Sequence, residues 1–131
     1  SNFNIKLVKE AIDSSKIPIA TNQVEFHPLL FQKDLFEYCI QNNLLITAYC
    51  PIARGRVNDN KILSDLSTKY NKTPSQISLR WLTQKNIIAI PKASSLTHLE
   101  ENFKVFDFEI SELDIGKIDT IGEQLRLVNI Q

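Results

Sequence analysis

The stretch TNQVEFHPLL, residues 21–30, has the apolar content of a strand but carries two amides, a carboxylate and an imidazole. Because side chains alternate between the faces of a strand, Gln23 and Glu25 would point to the same side. Such a pair can bind a polar ligand, and Glu25 could also act as a general base. We expect a hydrogen-bonded interior carboxylate at Glu25 instead, and a structural role for His27, which lies next to a proline.

Two further apolar segments end in residue types that bind ligands. The run LLITAY ends at Tyr49 and continues into Cys50, and the run IIAI continues into PKASS. The second places Lys92 and Ser94 directly before a helix predicted to begin near Ser95. Helix N-termini and ammonium groups both attract anions, so this segment predicts an anion site. Because ligands bind at the carboxyl ends of parallel strands, we expect the ends of all three segments to lie together.

Composition and charge exclude several kinds of partner. The 131 residues are 43% hydrophobic and 23% charged, which is typical of one globular domain. Fifteen basic side chains balance fifteen acidic ones, so we expect neither nucleic acid nor an anionic membrane as a partner. No signal peptide or bilayer-spanning run is visible. Cys39 and Cys50 are too far apart for a C-x-x-C pair, and we expect two reduced thiols of a cytoplasmic protein.

Hydrophobic periodicity predicts strands and helices in alternation, which is typical of a parallel α/β fold. The segment TPSQ gives the clearest local signal, because Thr73 can cap a helix that Pro74 begins and Gln76 can complete a capping box. The predicted strands cover 19–25, 44–49 and 87–90. The predicted helices cover 5–14, 33–42, a segment after Asp59 or Asn60, 73–86, 95–103 and 111–122.

The predicted sheet is small for an independent domain. An open sheet of three parallel strands has two unpaired edges and one uncovered apolar face. The chain also contains no Met. We therefore expect a part of a longer protein, with Ser1 as a native residue, and we expect the isolated chain to self-associate or to be marginally stable.

Five short motifs, in this order, resemble the aldo-keto reductase family. They are SNF at 1–3, NQVE followed by HP at 22–28, AYCP at 48–51, IPK at 90–92 and ENF at 101–103. The match covers essentially the whole chain, and its short connections resemble the bacterial 2,5-diketo-gluconate reductases. The resemblance implies an α/β fold, namely the C-terminal half of a (β/α)8 TIM barrel with three full parallel strands and the end of a fourth. Residues 1–131 would form one partial domain.

The same resemblance implies reduction of aldehydes or ketones by NAD(P)H in the complete protein. It also implies the residues that bind the cofactor. At the nicotinamide, Ser1, Asn2 and Gln23 would contact the carboxamide, and Tyr49 would lie against the ring. Lys92 and Ser94 would bind the adenosine phosphate, Glu101 and Asn102 would contact the adenine, and the remaining cofactor-binding residues would be Cys50, Ile52 and His98. An aromatic side chain at Tyr49 would fix the plane of the nicotinamide.

Two positions depart from the family pattern. Ala93 stands where the family usually has Ser, and His98 stands where it usually has the Arg that clamps the 2′-phosphate of NADPH. A guanidinium is a planar, permanently charged fork, whereas a histidine is largely neutral at pH 7. The expected cofactor is NADP(H), and NAD(H) is kept as an alternative because His98 replaces the usual arginine.

The family's catalytic Tyr, Lys, Asp and His have no matches in this chain, so we expect no catalytic residue and no metal ligand. Tyr38, Tyr70 and Trp81 lie in helical patterns and are expected to be packing residues. Arg54 and Arg56 are either solvated loop residues or contacts to pyrophosphate or substrate.

Two interpretations of function therefore stay open. One is the cofactor-binding half of a reductase, whose partners are a nicotinamide dinucleotide, a small carbonyl substrate, and the N-terminal half of the barrel or a second copy. The other is an inactive remnant, or a nucleotide-binding or interaction module from a split or truncated gene.

Overall fold

The computed structural model of the chain describes residues 1–129, in which three strands form one parallel sheet of order β1-β2-β3. The strands are β1 (Thr21–Glu25), β2 (Leu45–Tyr49) and β3 (Ile88–Ala89). The register pairs Glu25 with Tyr49 and Thr47 with Ile88. All three carboxyl ends consequently meet at one edge of the sheet, as the sequence predicts.

Helices connect and cover the strands. They are α1 (Ile5–Ser14), α2 (Lys33–Gln41), α3 (Lys61–Tyr70), α4 (Pro74–Gln84), α5 (Leu96–Phe103) and α6 (Glu112–Asp119), with 3₁₀ segments at Ala53–Asp59 and Lys104–Phe106. The predicted capping box of α4 is confirmed: Thr73 Oγ1 accepts the N–H of Gln76, and Gln76 Oε1 accepts the N–H of Thr73. The side chain of Asn60 caps α3 by accepting the N–H of Leu63.

Several predicted boundaries differ from those observed. The strand predicted over 87–90 is reduced to β3, whose register with β2 covers two residues and which is followed, after Ile90, by a proline that has no N–H to donate. Helix α6 ends at Asp119 instead of continuing to Gly122. Residues 1–4 lie beside β1 but form no strand of their own, and the 3₁₀ segment before α3 was not predicted.

The core lies between one face of the sheet and the helices. Trp81 is fully buried and packs against Phe26 and Phe31, with ring centroids 6.0 and 5.3 Å from its own. Its indole N–H donates to Asp119 Oδ1 at 2.8 Å, which satisfies the one polar atom of the side chain. The predicted packing role of Trp81 is therefore confirmed.

The opposite face of the sheet, termed here the open face, is uncovered in residues 1–129 except at Glu25 and Thr47, which are buried. Because in-register parallel neighbours share a face, this side carries Gln23, Leu45, Ile88 and Ile90. The side chains of Leu45, Ile88 and Ile90 are 47%, 45% and 46% exposed. The prediction of an uncovered apolar face is confirmed.

A buried carboxylate connects α3 to α6. Asp114 is completely buried and accepts hydrogen bonds from Lys117 Nζ and Tyr70 Oη, both at 2.7 Å, and from Lys69 Nζ. The hydrogen bonds from Lys117, Lys69 and Tyr70 hold the pKa of Asp114 well below its usual range. Tyr70 thus packs on the core, as predicted, and also provides one donor of this cluster.

We predict that Asp114→Asn lowers the melting temperature at pH 7 by about 5 °C, because an amide cannot accept these charge-assisted hydrogen bonds equally well. Since folding lowers the pKa of Asp114, its contribution is complete above the unfolded-state pKa of about 4 and is lost as the pH falls below that value. Thermal melts from pH 7 to pH 2.5 should show the two proteins converging at acidic pH.

The control for this comparison is Asp13→Asn, which removes an exposed carboxylate from α1. That variant should melt like the native chain at every pH. A difference between Asp114→Asn and the native chain that stays constant with pH would contradict the role assigned to Asp114.

Candidate functional site

Two cavities open near the edge where the three strands end. The Tyr49 cavity, of about 500 Å³, is lined by Asn2, Phe3, Asn4, Val24, Gln32, Tyr49, Arg126, Val128 and Asn129. The Lys92 cavity, of about 420 Å³, is lined by Ile52, Arg54, Gly55, Asn58, Thr73, Ser75, Lys92, His98, Glu101 and Asn102. Most of the residues predicted to bind a cofactor line one of the two.

The Tyr49 cavity is built at the ends of β1 and β2. The phenol of Tyr49 donates to Asn2 Oδ1 at 2.9 Å, and the backbone N–H of Asn2 donates to the carbonyl of Gln23 at 2.8 Å. Asn2 has a positive φ of 57°, a conformation that asparagine tolerates better than most residues. The predicted residues Asn2, Gln23 and Tyr49 are therefore neighbours.

The buried amide of Asn22 holds the N-terminal segment in this position. Its Nδ2 donates to the carbonyl of Phe3 at 2.9 Å, and its Oδ1 accepts the N–H of Phe3 at 3.3 Å. These two bonds replace a strand pairing and set where Asn2 lies. This role of Asn22 could not be predicted from the sequence, because an asparagine in a strand has no local pattern that identifies its partner.

The ring of Tyr49 is half-buried and borders the cavity. Burial, and then the negative charge of Glu25, raise the pKa of Tyr49. The phenol consequently keeps its proton at neutral pH and donates it in the bond to Asn2. A fixed aromatic ring on a polar cavity wall can support a planar ligand.

Glu25 and His27 form a buried polar pair behind the cavity. Glu25 is completely buried, and its oxygens accept the N–H of Leu127 at 2.7 Å, the N–H of Val128 at 2.8 Å and His27 Nε2 at 3.1 Å. Since a carboxylate only accepts, Nε2 of His27 carries the proton. Glu25 is therefore the hydrogen-bonded interior carboxylate that the sequence suggests.

The charges of this pair follow from its contacts. Burial alone would raise the pKa of Glu25, but the N–H of Leu127, the ring of His27 and the N–H of Val128 more than offset burial and lower it. Burial is the largest influence on the pKa of His27 and lowers it, although the Glu25 carboxylate acts in the opposite direction. At neutral pH, Glu25 is thus ionised and His27 is neutral.

The Lys92 cavity lies at the N-terminus of α5. Lys92 comes just before that helix, and Ser95 caps it by accepting the N–H of His98 at 3.2 Å. Gln76 Nε2 donates to the carbonyl of Glu101 at 3.0 Å, which fastens α5 to α4. Together, an ammonium group and a helix N-terminus make this wall favourable for a phosphate.

The loop between β2 and α3 supplies the other wall of the Lys92 cavity. Cys50, Ala53 and Arg54 have positive φ values of 50°, 48° and 50°, followed by Gly55 at 87°. Ser78 Oγ anchors this loop by donating to the carbonyl of Pro51 at 2.7 Å. Consecutive strained residues of this kind are often found at ligand sites. Arg54 lines the Lys92 cavity, whereas Arg56 lies elsewhere.

Not every predicted residue reaches a cavity wall. Ser1, Gln23, Cys50 and Ser94 lie outside both linings among the residues that the structure describes. Gln23 is exposed on the open face, where it pairs with Thr47 in the adjacent strand, two residues before Tyr49. Conversely, Arg126, Asn58 and Ser75 line a cavity but were not selected from the sequence. Arg126 and Asn58 belong to no recognised motif, and the TPSQ segment that contains Ser75 was interpreted only as the start of a helix.

The other chemical groups give no second site within residues 1–129. Cys39 and Cys50 are free thiols, as predicted. No group of His, Cys, Asp and Glu in this part of the chain has the arrangement of a metal site. No helix there is long and apolar enough to cross a bilayer.

Comparison with known proteins relates this geometry to one family. The model of the aldo/keto reductase family matches residues 1–123. The chain is 40% identical to the uncharacterized oxidoreductase YtbE of Bacillus subtilis over 97% of its own length and 45% of that protein. It is 37% identical to the glyoxal reductase of the same organism over 97% of its length and 46% of that protein.

Solved structures give the same relation. A putative 2,5-diketo-D-gluconic acid reductase B superimposes with a TM-score of 0.93 at 34% identity, over 99% of this chain and 47% of that one. The aldo-keto reductase MGS-M4, from a deep-sea metagenome library, also gives 0.93, at 32% identity over 98% of this chain and 48% of that one.

The chain thus spans about half the length of the relatives it matches. Its parallel α/β architecture is that of a partial TIM barrel, which confirms the predicted fold class. The family model covers nearly all of the described residues, including both cavities apart from the tail at 124–129. The chain belongs to the aldo/keto reductase family.

Proposed function

We propose that this chain binds a nicotinamide dinucleotide and supplies the cofactor-binding part of an NADP(H)-dependent carbonyl reductase. The observation that carries the proposal is the pair of cavities at the strand ends. One contains a fixed aromatic ring with neighbouring amides, and the other contains Lys92 at the start of α5. A dinucleotide has one planar polar end and one phosphorylated end, which match these two environments.

The residues present fit each part of such a cofactor. At the Tyr49 cavity, the ring of Tyr49 would support the nicotinamide, and the amide of Asn2 would hydrogen-bond its carboxamide. The amide of Gln23, which lies outside the cavity lining on the open face, would reach the same carboxamide from that side. At the Lys92 cavity, Lys92 and the α5 N-terminus would bind the adenosine phosphate. The side chains of Glu101 and Asn102, both half-buried on the wall of this cavity, would contact the adenine.

When bound, a reduced nicotinamide supplies a hydride for an aldehyde or ketone. The contribution of this chain is to orient the ring: Tyr49 fixes its plane, and the amide contacts select which face points toward the substrate. No residue of this chain matches the family's catalytic Tyr, Lys, Asp or His. Proton transfer to the carbonyl oxygen therefore falls to residues outside these 131.

The choice between NADPH and NADH depends on His98. This residue lines the Lys92 cavity at the position where the family usually carries an arginine for the 2′-phosphate. Lys92 and Arg54 supply positive charge on the same cavity, and they support NADP(H) as the cofactor. Gox0644 and the silkworm aldo-keto reductase, whose structures superimpose on this chain, are both known as NADPH complexes.

The open face supports a partner that completes the barrel. We propose that residues 1–131 form one partial domain, and that the N-terminal half of a barrel or a second copy covers Leu45, Ile88 and Ile90. Apolar side chains that are nearly half exposed on one sheet face favour association. A cytoplasmic location agrees with the free thiols.

We predict that Lys92→Ala weakens NADPH binding about tenfold, because it removes one charge-assisted hydrogen bond to phosphate. Isothermal titration calorimetry with NADPH measures this directly. Trp81 is a poor reporter of binding, since it is fully buried in the core. The matched control is Lys104→Ala, an exposed lysine outside the cavity lining, and equal losses in both variants would contradict the assignment.

We predict that His98→Arg increases the preference for NADPH over NADH about tenfold, since a charged guanidinium can donate two parallel hydrogen bonds to the 2′-phosphate. Competition titrations of both cofactors against the native chain and the variant provide the comparison. His98→Gln, which is polar but uncharged, should leave the preference near its native value. An unchanged ratio in His98→Arg would show that the adenosine phosphate lies elsewhere.

We predict that the polypeptide of 131 residues binds NADPH without reducing an aldehyde, because it lacks the groups that protonate the carbonyl oxygen. The absorbance of NADPH at its nicotinamide band, followed with glyoxal as substrate, should fall no faster than in buffer. Binding is verified in the same sample by calorimetry. Consumption of NADPH above the buffer rate would contradict the proposal that this chain binds the cofactor but does not reduce the carbonyl.

A further inference from the structure

The tail at 124–129 crosses the end of the sheet and forms one wall of the Tyr49 cavity. The N–H of Leu125 donates to the carbonyl of Leu29 at 2.9 Å, and the N–H groups of Leu127 and Val128 donate to Glu25. Backbone anchors therefore lie on both sides of Arg126. This fixes the position of Arg126 although its own side chain is exposed.

Arg126 is the single charged residue among the described residues that line the Tyr49 cavity. The other members of that lining are amides, apolar side chains and the neutral phenol of Tyr49. Within residues 1–129, no carboxylate lies in ion-pair distance of its guanidinium. The acid at the end of β1, Glu25, is buried and already accepts three hydrogen bonds.

The positive charge of Arg126 affects the titratable groups near the cavity. It acts to lower the pKa of Tyr49 and of His27, although burial is the largest influence at both residues. Arg126 and the ring against which the nicotinamide would be held line the same cavity. A ligand at that ring would meet one positive charge without a protein partner in the described structure.

We propose that Arg126 recognises a carboxylate on the substrate, so that this site prefers carbonyl compounds that also carry an acid group. The inference rests on the proposed function, because it places the carbonyl beside the nicotinamide at Tyr49. A guanidinium presents two parallel N–H donors that match the two oxygens of a carboxylate. Neutral carbonyl compounds would leave this charge without a partner and would bind less tightly.

Glu25 is the positioning residue for this contact. The N–H groups of the two residues that follow Arg126 each donate to one oxygen of the Glu25 carboxylate, and both oxygens can accept because Glu25 is ionised. An amide at this position offers one acceptor oxygen and turns an NH₂ group toward the tail. Glu25→Gln should therefore release the tail and reduce acid recognition without any change in the charge of Arg126.

The test compares benzoylformate with its methyl ester, which has the same ketone but no charge. Both are titrated into the ¹⁵N-labelled polypeptide of 131 residues, with and without saturating NADPH, and affinities are read from amide shifts. We expect the acid to bind about tenfold more tightly than the ester. Equal affinities, including no measurable binding of either compound, would overturn the proposal.

Variants separate recognition from general electrostatics. Arg126→Gln should remove the preference for the acid, and Arg126→Lys should keep part of it. Lys9→Gln, which removes one positive charge from an exposed position on α1, should retain the full preference. An equal loss in Lys9→Gln and Arg126→Gln would overturn the proposal, because net charge alone would then explain the result.

The affinity for NADPH distinguishes this inference from the proposed function. It should change less than about twofold in Arg126→Gln, since the guanidinium is assigned to the substrate. A tenfold loss of NADPH affinity in this variant would assign Arg126 to the cofactor and overturn the inference. Failure of the native chain to bind NADPH, with acid preference intact, would instead refute the cofactor role alone.

Discussion

The in-register parallel pairing of β1 with β2 and of β2 with β3 is the constraint on which the site depends. Parallel pairing sends every strand out of the sheet at the same edge, so groups far apart in the sequence become neighbours. Glu25 lies opposite Tyr49, and the N–H of Ile90 donates to the carbonyl of Ala48 at 3.2 Å. A shift of one residue in β1 would exchange Gln23 for the buried Asn22 and would dismantle the Tyr49 cavity.

Local sequence signals predicted the parts of the structure that local contacts determine. The capping box at Thr73 and Gln76 joins residues three positions apart, and the apolar run of β2 identifies a strand buried against helices. The position of Lys92 just before a helix could be predicted for the same reason. Motif resemblance then supplied the candidate cofactor residues, most of which line the two cavities.

Residues whose roles depend on distant partners could not be identified in this way. Asn22 anchors Phe3, and Glu25 anchors the tail, through contacts that leave no pattern in the neighbouring sequence. The length of β3 depends on how many of its residues pair with β2, which cannot be predicted from a short apolar run alone. The side chain of Gln23 lies on the same side of β1 as Glu25, as predicted. Its exposure was not predicted, because it results from the open face being uncovered at this position.

The hydrogen bond between Glu25 and the N–H of Leu127 joins residues 102 positions apart. The entropy lost when such a loop closes rises with the logarithm of its length, so this contact is costly until the intervening helices and strands are in place. Native contacts of large sequence separation accordingly tend to form late in folding. We expect the tail to dock onto a sheet that is already assembled, and to detach first when the protein begins to unfold.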